Sequence, residues 1–150
     1  MASAEGAKDG LISSFFSLEI TGKMVGAFRE VTNLGSENAV VEDKSRGPDG
    51  KYIIKKIPGT LKWNDITLKQ GITDNMDMWK WRKLVEEGKV SEARANGSIV
   101  MYDTAGQAVA RWDLVNCWPS KLSGPAGKAD GNEVAVQEMT LAHEGYERVQ

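Results

Sequence analysis

The sequence predicts a mainly β, antiparallel chain with one flanking helix, on three observations. Short runs rich in aromatic and β-branched residues recur between Gly-, Pro- and Asn-containing breaks. Only the segment TDNMDMWKWRKLVEEG changes to helical spacing. At 150 residues the chain fits one domain, residues 1–150, long enough to bury roughly 70% of its unfolded-state surface without staples.

Taken in order, SSFFSLEI (13–20) and KMVGAFREVTNL (23–34) read as two strands joined by a tight turn at Thr21-Gly22. Residues 36–50 end in the turn formers Gly47-Pro48-Asp49-Gly50 and read as a long exposed excursion. KYIIKKI (51–57) can continue it as a strand, so that residues 40–57 form a protruding hairpin with its tip near Pro48. Pro58-Gly59 is expected to break the run, and residues 60–69 to make the next strand. In that strand Leu61 and Trp63 have one parity, Ile66 and Leu68 the other. Such a strand would be covered on both faces, by the helix or by another subunit.

The helix is expected at about 73–87, with Thr73 or Asp74 as its cap and Asp77 near the positive end of its dipole. Met78, Trp81, Leu84 and Val85 line one face, and Gly88 is its stop. Asn96-Gly97 reads as a turn, after which SIVMYD and VARWDLVNCW form strands around an Asp103 to Gly106 hairpin turn. Pro119 should end the second of these. A Gly/Pro/Ala loop (123–131) then leads to a last strand at about 132–142, giving six to eight strands in all.

Composition excludes several classes. Nineteen basic residues against twenty-one acidic give a net charge of −2, without the basic surplus that grips phosphate polymers. No apolar run approaches the roughly 20 residues that span a bilayer, so stable membrane insertion is not expected. The N-terminus carries Glu5 and Asp9 before a short, serine-broken apolar run, unlike a secretion signal, so folding in the cytoplasm is expected.

Candidate chemistry is thin. The one cysteine, Cys117, and the one histidine, His143, are too few for a zinc site. Cys117 lies in an apolar strand as a small buried hydrophobe, and His143 has no nucleophile motif beside it. The acid pairs Glu42/Asp43, Glu86/Glu87 and Asp74/Asp77 sit in a loop and at helix ends, where solvated or capping charges belong. Neither phosphate-cradling glycine motif occurs among sixteen glycines, and no cofactor, metal or catalytic residue is assigned. The lysines at 51, 55, 56, 62 and 69 fit either a guarded strand edge or a charged contact with a neighbouring subunit. Five tryptophans fall between residues 63 and 118. Trp63, Trp81, Trp112 and Trp118, with Met78 and Val85, are assigned to core and helix packing. The alternative is a carbohydrate-binding or adhesive β-sandwich that exposes some of these rings, Trp79 included.

Lys56, Pro58-Gly59, Trp63, Asp65-Ile-Thr-Leu-Lys69 and Gly71 open a series of matching strings. It continues through Trp79 with Trp81, Gly97-Ser-Ile-Val100, Asp103, Ala110-Arg-Trp112, Asn116, Trp118-Pro119 and Lys121. Gly124-Pro125, Asn132-Glu133, His143-Glu-Gly145 and Glu147-Arg148 close it. In this order the strings resemble the tail-tube family of contractile phage tails and phage-tail-like injection particles, related to the haemolysin-coregulated protein of type VI secretion. Gln70 stands where the family pattern has arginine and Cys117 where it has alanine, which bears on the branch of the family. The resemblance implies a β-sandwich or barrel-like subunit, six copies closing into a ring, and rings stacked into a hollow tube. A contractile sheath, a baseplate and a spike would be partners, with DNA or effector proteins as cargo. Ring stacking is assigned to the hairpin, through Arg46, Pro48, Asp49, Lys51, Tyr52 and Lys55.

Overall fold

The computed structural model describes residues 13–71, 75–124 and 135–150. The chain opens with β1 (Phe15–Ile20), β2 (Met24–Phe28), β3 (Glu30–Thr32), β4 (Ser36–Arg46), β5 (Tyr52–Trp63) and β6 (Ile66–Gly71). Helices α1 (Asp77–Glu86) and α2 (Val90–Ala93) follow, then β7 (Ala95–Tyr102), β8 (Ala108–Ser123), β9 (Val136–Ala142) and β10 (Gly145–Arg148). The mainly β, antiparallel expectation holds, with ten strands among the described residues rather than six to eight.

Eight strands form one antiparallel sheet in the order β2-β1-β7-β8-β9-β6-β3, with β10 on β8. The long strand β8 is the corner: its first half pairs with β7 and β10, and Trp118 to Ser123 pair with β9. The two ends of the sheet meet where the Arg29 N–H donates to the Lys69 carbonyl (3.0 Å) and Gln70 Nε2 to the Ala27 carbonyl (2.7 Å). The result is barrel-like, filled by one cluster that includes Leu18, Phe28, Ile66, Leu68, Ile99 and Leu141, each 0–1% exposed.

Two prolines expected to stop strands lie inside them. Pro58 and Gly59 are within β5, where the register against β4 shifts between Asn38 and Val40. A bulge at this place spares proline a ladder donor it lacks. A Cβ on Gly59 would stand 2.9 Å from the Ala39 carbonyl, so glycine is what the close approach admits. Pro119 is buried within β8, where a second register shift lies between Pro119 and Lys121. There the Ser120 hydroxyl donates to the Thr140 carbonyl (3.2 Å), and the Pro119 carbonyl accepts from Arg82 (3.0 Å).

Asn96-Gly97 is likewise strand, not turn. The Asn96 Oδ1 accepts from the Asn116 N–H (3.1 Å), and Asn116 takes φ 46° where two residues of β8 oppose one of β7. A Cβ on Gly97 would lie 2.6 Å from the Glu19 carbonyl, which explains a glycine inside a packed strand. The parity change over residues 61–69 also has a simpler cause than double coverage. Asn64-Asp65 ends β5 before β6 begins, so Leu61 and Ile66 belong to different strands, one exposed and one buried. Residues 23–34 are two strands, β2 and β3, rather than one.

Helix α1 starts at Asp77, later than expected, and the proposed caps Thr73 and Asp74 lie outside the described residues. Asn75 Oδ1 accepts from the Asp77 N–H instead (2.9 Å). The helix ends as expected: Gly88 takes φ +80°, its N–H reaches the Val85 carbonyl and the Lys89 N–H reaches Leu84. Met78 and Trp81 are buried, Leu84 and Val85 half-buried against the core. Helix α2 and strand β10 were not expected. The last strand begins at Val136; the 123–131 loop lies outside the described residues from 125 onward, as do 132–134.

A polar relay crosses the seam between helix and sheet. The Trp79 indole N–H donates to Gln137 Oε1 (3.0 Å), Gln137 Nε2 to Gln70 Oε1 (3.0 Å), and Gln70 on to Ala27. Gln137 is 1% exposed, and Gln137→Leu takes the partners from the Trp79 indole N–H and the Gln70 Oε1, both half-buried. Losing the two bonds costs about 1–3 kcal/mol, to be read as a lowered urea midpoint with an unchanged m-value.

Candidate assembly interface

Strands β4 and β5 form a separate two-stranded ribbon, paired from Ser36 opposite Trp63 to Arg46 opposite Tyr52. The protruding hairpin is therefore longer than 40–57, and its inner rungs reach residues 36 and 63. Its tip is a turn in which the Gly47 N–H bonds the Lys51 carbonyl (2.8 Å), Asp49 Oδ1 accepts from the Lys51 N–H (3.1 Å), and Gly50 takes φ +78°. Eleven residues of β4 give the arm a length of roughly 35 Å.

An isolated two-stranded ribbon is marginally stable in water, yet this one carries its apolar side chains outward. Val40 is 64% exposed, Ile54 56% and Tyr52 70%. Side chains alternate along each strand, and the register puts Val40, Ile54, Tyr52 and Pro58 on one face, Val41, Ile53 and Ile57 on the other. Both faces thus carry exposed β-branched or aromatic side chains among their charges, and no described residue covers either face. Charges alternate with them: Glu42 stands opposite Lys56, Asp43 opposite Lys55 and Glu37 opposite Lys62, in the cross-strand arrangement that favours one register.

Of the predicted site residues, Arg46 and Tyr52 meet, with the guanidinium 5.3 Å from the ring centroid. Pro48, Asp49 and Lys51 lie exposed in the tip, and Lys55 is on the shaft. The strongest features of the arm, Val40, Val41, Ile53, Ile54 and Ile57, were not singled out. Their signal is the pair of β-branched runs AVV and YII in a segment otherwise full of charge.

The remaining candidates assemble no reactive centre among the described residues. The Cys117 thiol is fully buried and donates to the Ala95 carbonyl, and desolvation raises its pKa to about 12. In the native protein it should stay unmodified by a thiol reagent at pH 8 over hours and react at once in denaturant, a difference read by absorbance. The Ser98 hydroxyl donates to Asp113 (2.8 Å) while Arg111 donates to both, and these bonds hold the Asp113 carboxyl below its usual range. No histidine faces this trio, so the serine has no base. Glu42 and Asp43 point to opposite faces of the arm, and Glu86 and Glu87 lie beside Arg82, Lys83 and Lys89. No described group of three or more His, Cys, Asp or Glu could hold a metal, and no described helix is long and apolar enough to cross a membrane.

None of the five tryptophans stands exposed. Trp81 is buried and donates to the Ala93 carbonyl (2.7 Å), Trp63 packs edge-on against Tyr146 (4.9 Å), and Trp112 lies under Arg148 (5.7 Å). Trp79 is tied into the relay and Trp118 is half-buried in β8.

Residues 13–147 match the model of the family described as T4-like virus tail tube protein gp19. The chain belongs to this family. Compared with curated protein sequences, it finds no match. Among solved structures the tail tube fold recurs in the PVC sheath-tube complex of an extracellular contractile injection system in its extended state. That chain has a TM-score of 0.77 and 22% identity, over 99% of this chain and 97% of the other. The cap of the anti-feeding prophage gives 0.76 and 23%, over 95% and 93%. Hcp1 from Flavobacterium johnsoniae is similar at 0.55 and 10%, over 90% and 94%. As a tail tube protein the chain has a structural role, as a tube subunit of a phage tail or of an extracellular injection particle.

Proposed function

We propose that this tail tube protein is a non-catalytic wall unit, a single domain over residues 1–150, of which six copies close into a ring and rings stack into a hollow conduit. The observation that carries the reading is the arm, a ribbon with exposed apolar side chains on both faces that the described residues of the subunit leave uncovered. Exposed apolar area of this kind marks a protein contact, and a ribbon with two such faces fits between two surfaces. The arm, with Arg46, Pro48, Asp49, Lys51, Tyr52 and Lys55 at and near its tip, joins one ring to the next. Ring closure sets one surface of the subunit against a different one, the geometry that closes cyclic oligomers.

A contractile sheath surrounds the tube, a baseplate nucleates it and a spike tips it. The similarity to chains of a sheath-tube complex and of a prophage baseplate supports these partners. Assembly occurs in the cytoplasm, and the lumen carries effector proteins or DNA. A net charge of −2 suits a conduit, since a strongly basic wall would retain nucleic acid. Negative-stain microscopy of the purified protein tests the reading. Annular particles or hollow rods are expected, and a clean monomer at high concentration, even with a baseplate nucleus added, would overturn it.

A further inference from the structure

The geometry points to His143 as the positioning residue that fixes the direction of the arm, acting through Asn64. The arm leaves the barrel at two places, Gly35 and Asn64, beyond the last rung between Ser36 and Trp63. The Asn64 N–H donates to the Gly35 carbonyl (3.0 Å), which ties the two legs to each other rather than to the barrel. The turn between β9 and β10 ties them to the barrel. His143 Nε2 lies 2.8 Å from the Asn64 carbonyl, an acceptor only, so this nitrogen carries the hydrogen and donates it.

The same turn clamps the neighbouring ring. Trp63 packs against Tyr146 and lies flush on Gly145, where an added Cβ would stand 3.3 Å from the indole. Gly145 takes φ +150°, which glycine alone adopts without strain. The turn is itself held to the barrel: the Glu144 N–H donates to the Val115 carbonyl (2.9 Å), and Asn116 Nδ2 to Glu144 Oε2 (2.6 Å). A path of short contacts therefore runs from the β8 bulge at Asn116, through Glu144, to His143 and the root of the arm.

His143 Nδ1 is buried and has no hydrogen-bond partner among the described residues. A bare buried acceptor is a cost, and Nδ1 makes no bond that would tie the imidazole into the core. The ring packs against Trp63 and Tyr146, with centroids 6.0 and 5.9 Å away, and its one hydrogen bond among the described residues, made by Nε2, goes to the arm root. Leverage explains why a single bond there matters: a swing of about 10° at the root moves the tip of a ribbon roughly 35 Å long by about 6 Å. The consequence for stacking, which rests on the tube role proposed above, is that His143 holds the arm ready for the next ring.

The test uses unassembled subunits of the full chain, spin-labelled at Lys44→Cys on the arm and Lys89→Cys beyond the helix, with distances measured by pulsed EPR. The parent should give one narrow distribution, His143→Gln, which keeps an N–H donor, the same, and His143→Phe a distribution at least twice as wide with an unchanged melting temperature. Trp63→Phe, which thins the other half of the clamp, serves if His143→Phe fails to fold and should broaden the distances likewise. In assembly, His143→Phe should need about tenfold more protein to form tubes. Equal widths in the parent and both Phe variants would overturn the latch. A parent that forms no tubes, with the widths still separating, would instead overturn the tube reading and leave the latch standing.

Discussion

Ile54→Asp should leave the subunit folded and abolish tubes. Ile54 is more than half exposed on a ribbon whose ladder is made by backbone groups, so the monomer loses little. The expected change is within about 1 kcal/mol, the span of strand propensity at an open position. In the stacking proposed above the same side chain is set between subunits, and a carboxylate placed there unpaired costs several kcal/mol. About 3 kcal/mol per contact is already more than a hundredfold in its equilibrium constant, and every arm in every ring bears it. Circular dichroism should superpose on the parent, and sedimentation should find no assembly larger than a ring. Deleting residues 44–51 removes the tip altogether and should give the same outcome: a folded subunit that closes rings but does not stack. Long tubes from either variant, at the concentration that suffices for the parent, would remove the arm from the stacking contact.

The arm also marks the limit of what could be read from the residues. Turn formers at 47–50 located the tip, and the β-branched run at 52–54 located one strand. Its inner rungs stayed hidden because Ser36 to Asn38 are polar and because Pro58-Gly59 resembles a stop. Proline ends a strand only where its missing N–H is needed, and at a bulge it is not. The same physics concealed the last turns of β8 beyond Pro119. Asn96-Gly97 failed for a related reason: the pair favours a hairpin turn, but here Gly97 is required by the approach of β1 and Asn96 caps the bulge opposite. Local propensity cannot see a neighbour that is distant in the sequence.

Where the deciding interaction is local, the reading held. Gly88 stops α1 by its own left-handed backbone, and Met78 and Trp81 face inward because helical spacing leaves them no other side. Cys117 reads as a small buried hydrophobe from the apolar strand around it, and its thiol is buried and desolvated; the bond of His143 to the arm root had no signal in the residues beside it. The clamp around Trp63 was out of reach, since it joins residues about eighty positions apart through a turn, 143–145, whose letters carry no periodicity.

Trp81→Ala should be the most destabilising single change in the helix. Its ring is 1% exposed, joins α1 to the core, and through its indole N–H holds the Ala93 carbonyl and with it the short helix α2. Truncating a buried tryptophan costs about 3–5 kcal/mol, and the abandoned carbonyl adds about 1 kcal/mol or more. Against a total stability of about 5–15 kcal/mol for a domain, the loss should lower the melting temperature by roughly 10–20 °C. Trp81→Phe keeps most of the volume and loses the bond, so about 2 kcal/mol is expected from it. The Arg82 bond to Pro119 still anchors the helix to β8 in both variants, which keeps the damage to packing rather than to topology. Because a tube binds only folded subunits, assembly should raise the melting temperatures of the parent and of Trp81→Ala alike with protein concentration, leaving the gap between them. Ile54→Asp, which damages the contact and not the fold, should melt like the free parent subunit at concentrations where the parent is in tubes. A Trp81→Ala subunit within about 1 kcal/mol of the parent would mean that the helix is held to the barrel by the Trp79 relay and Arg82 instead.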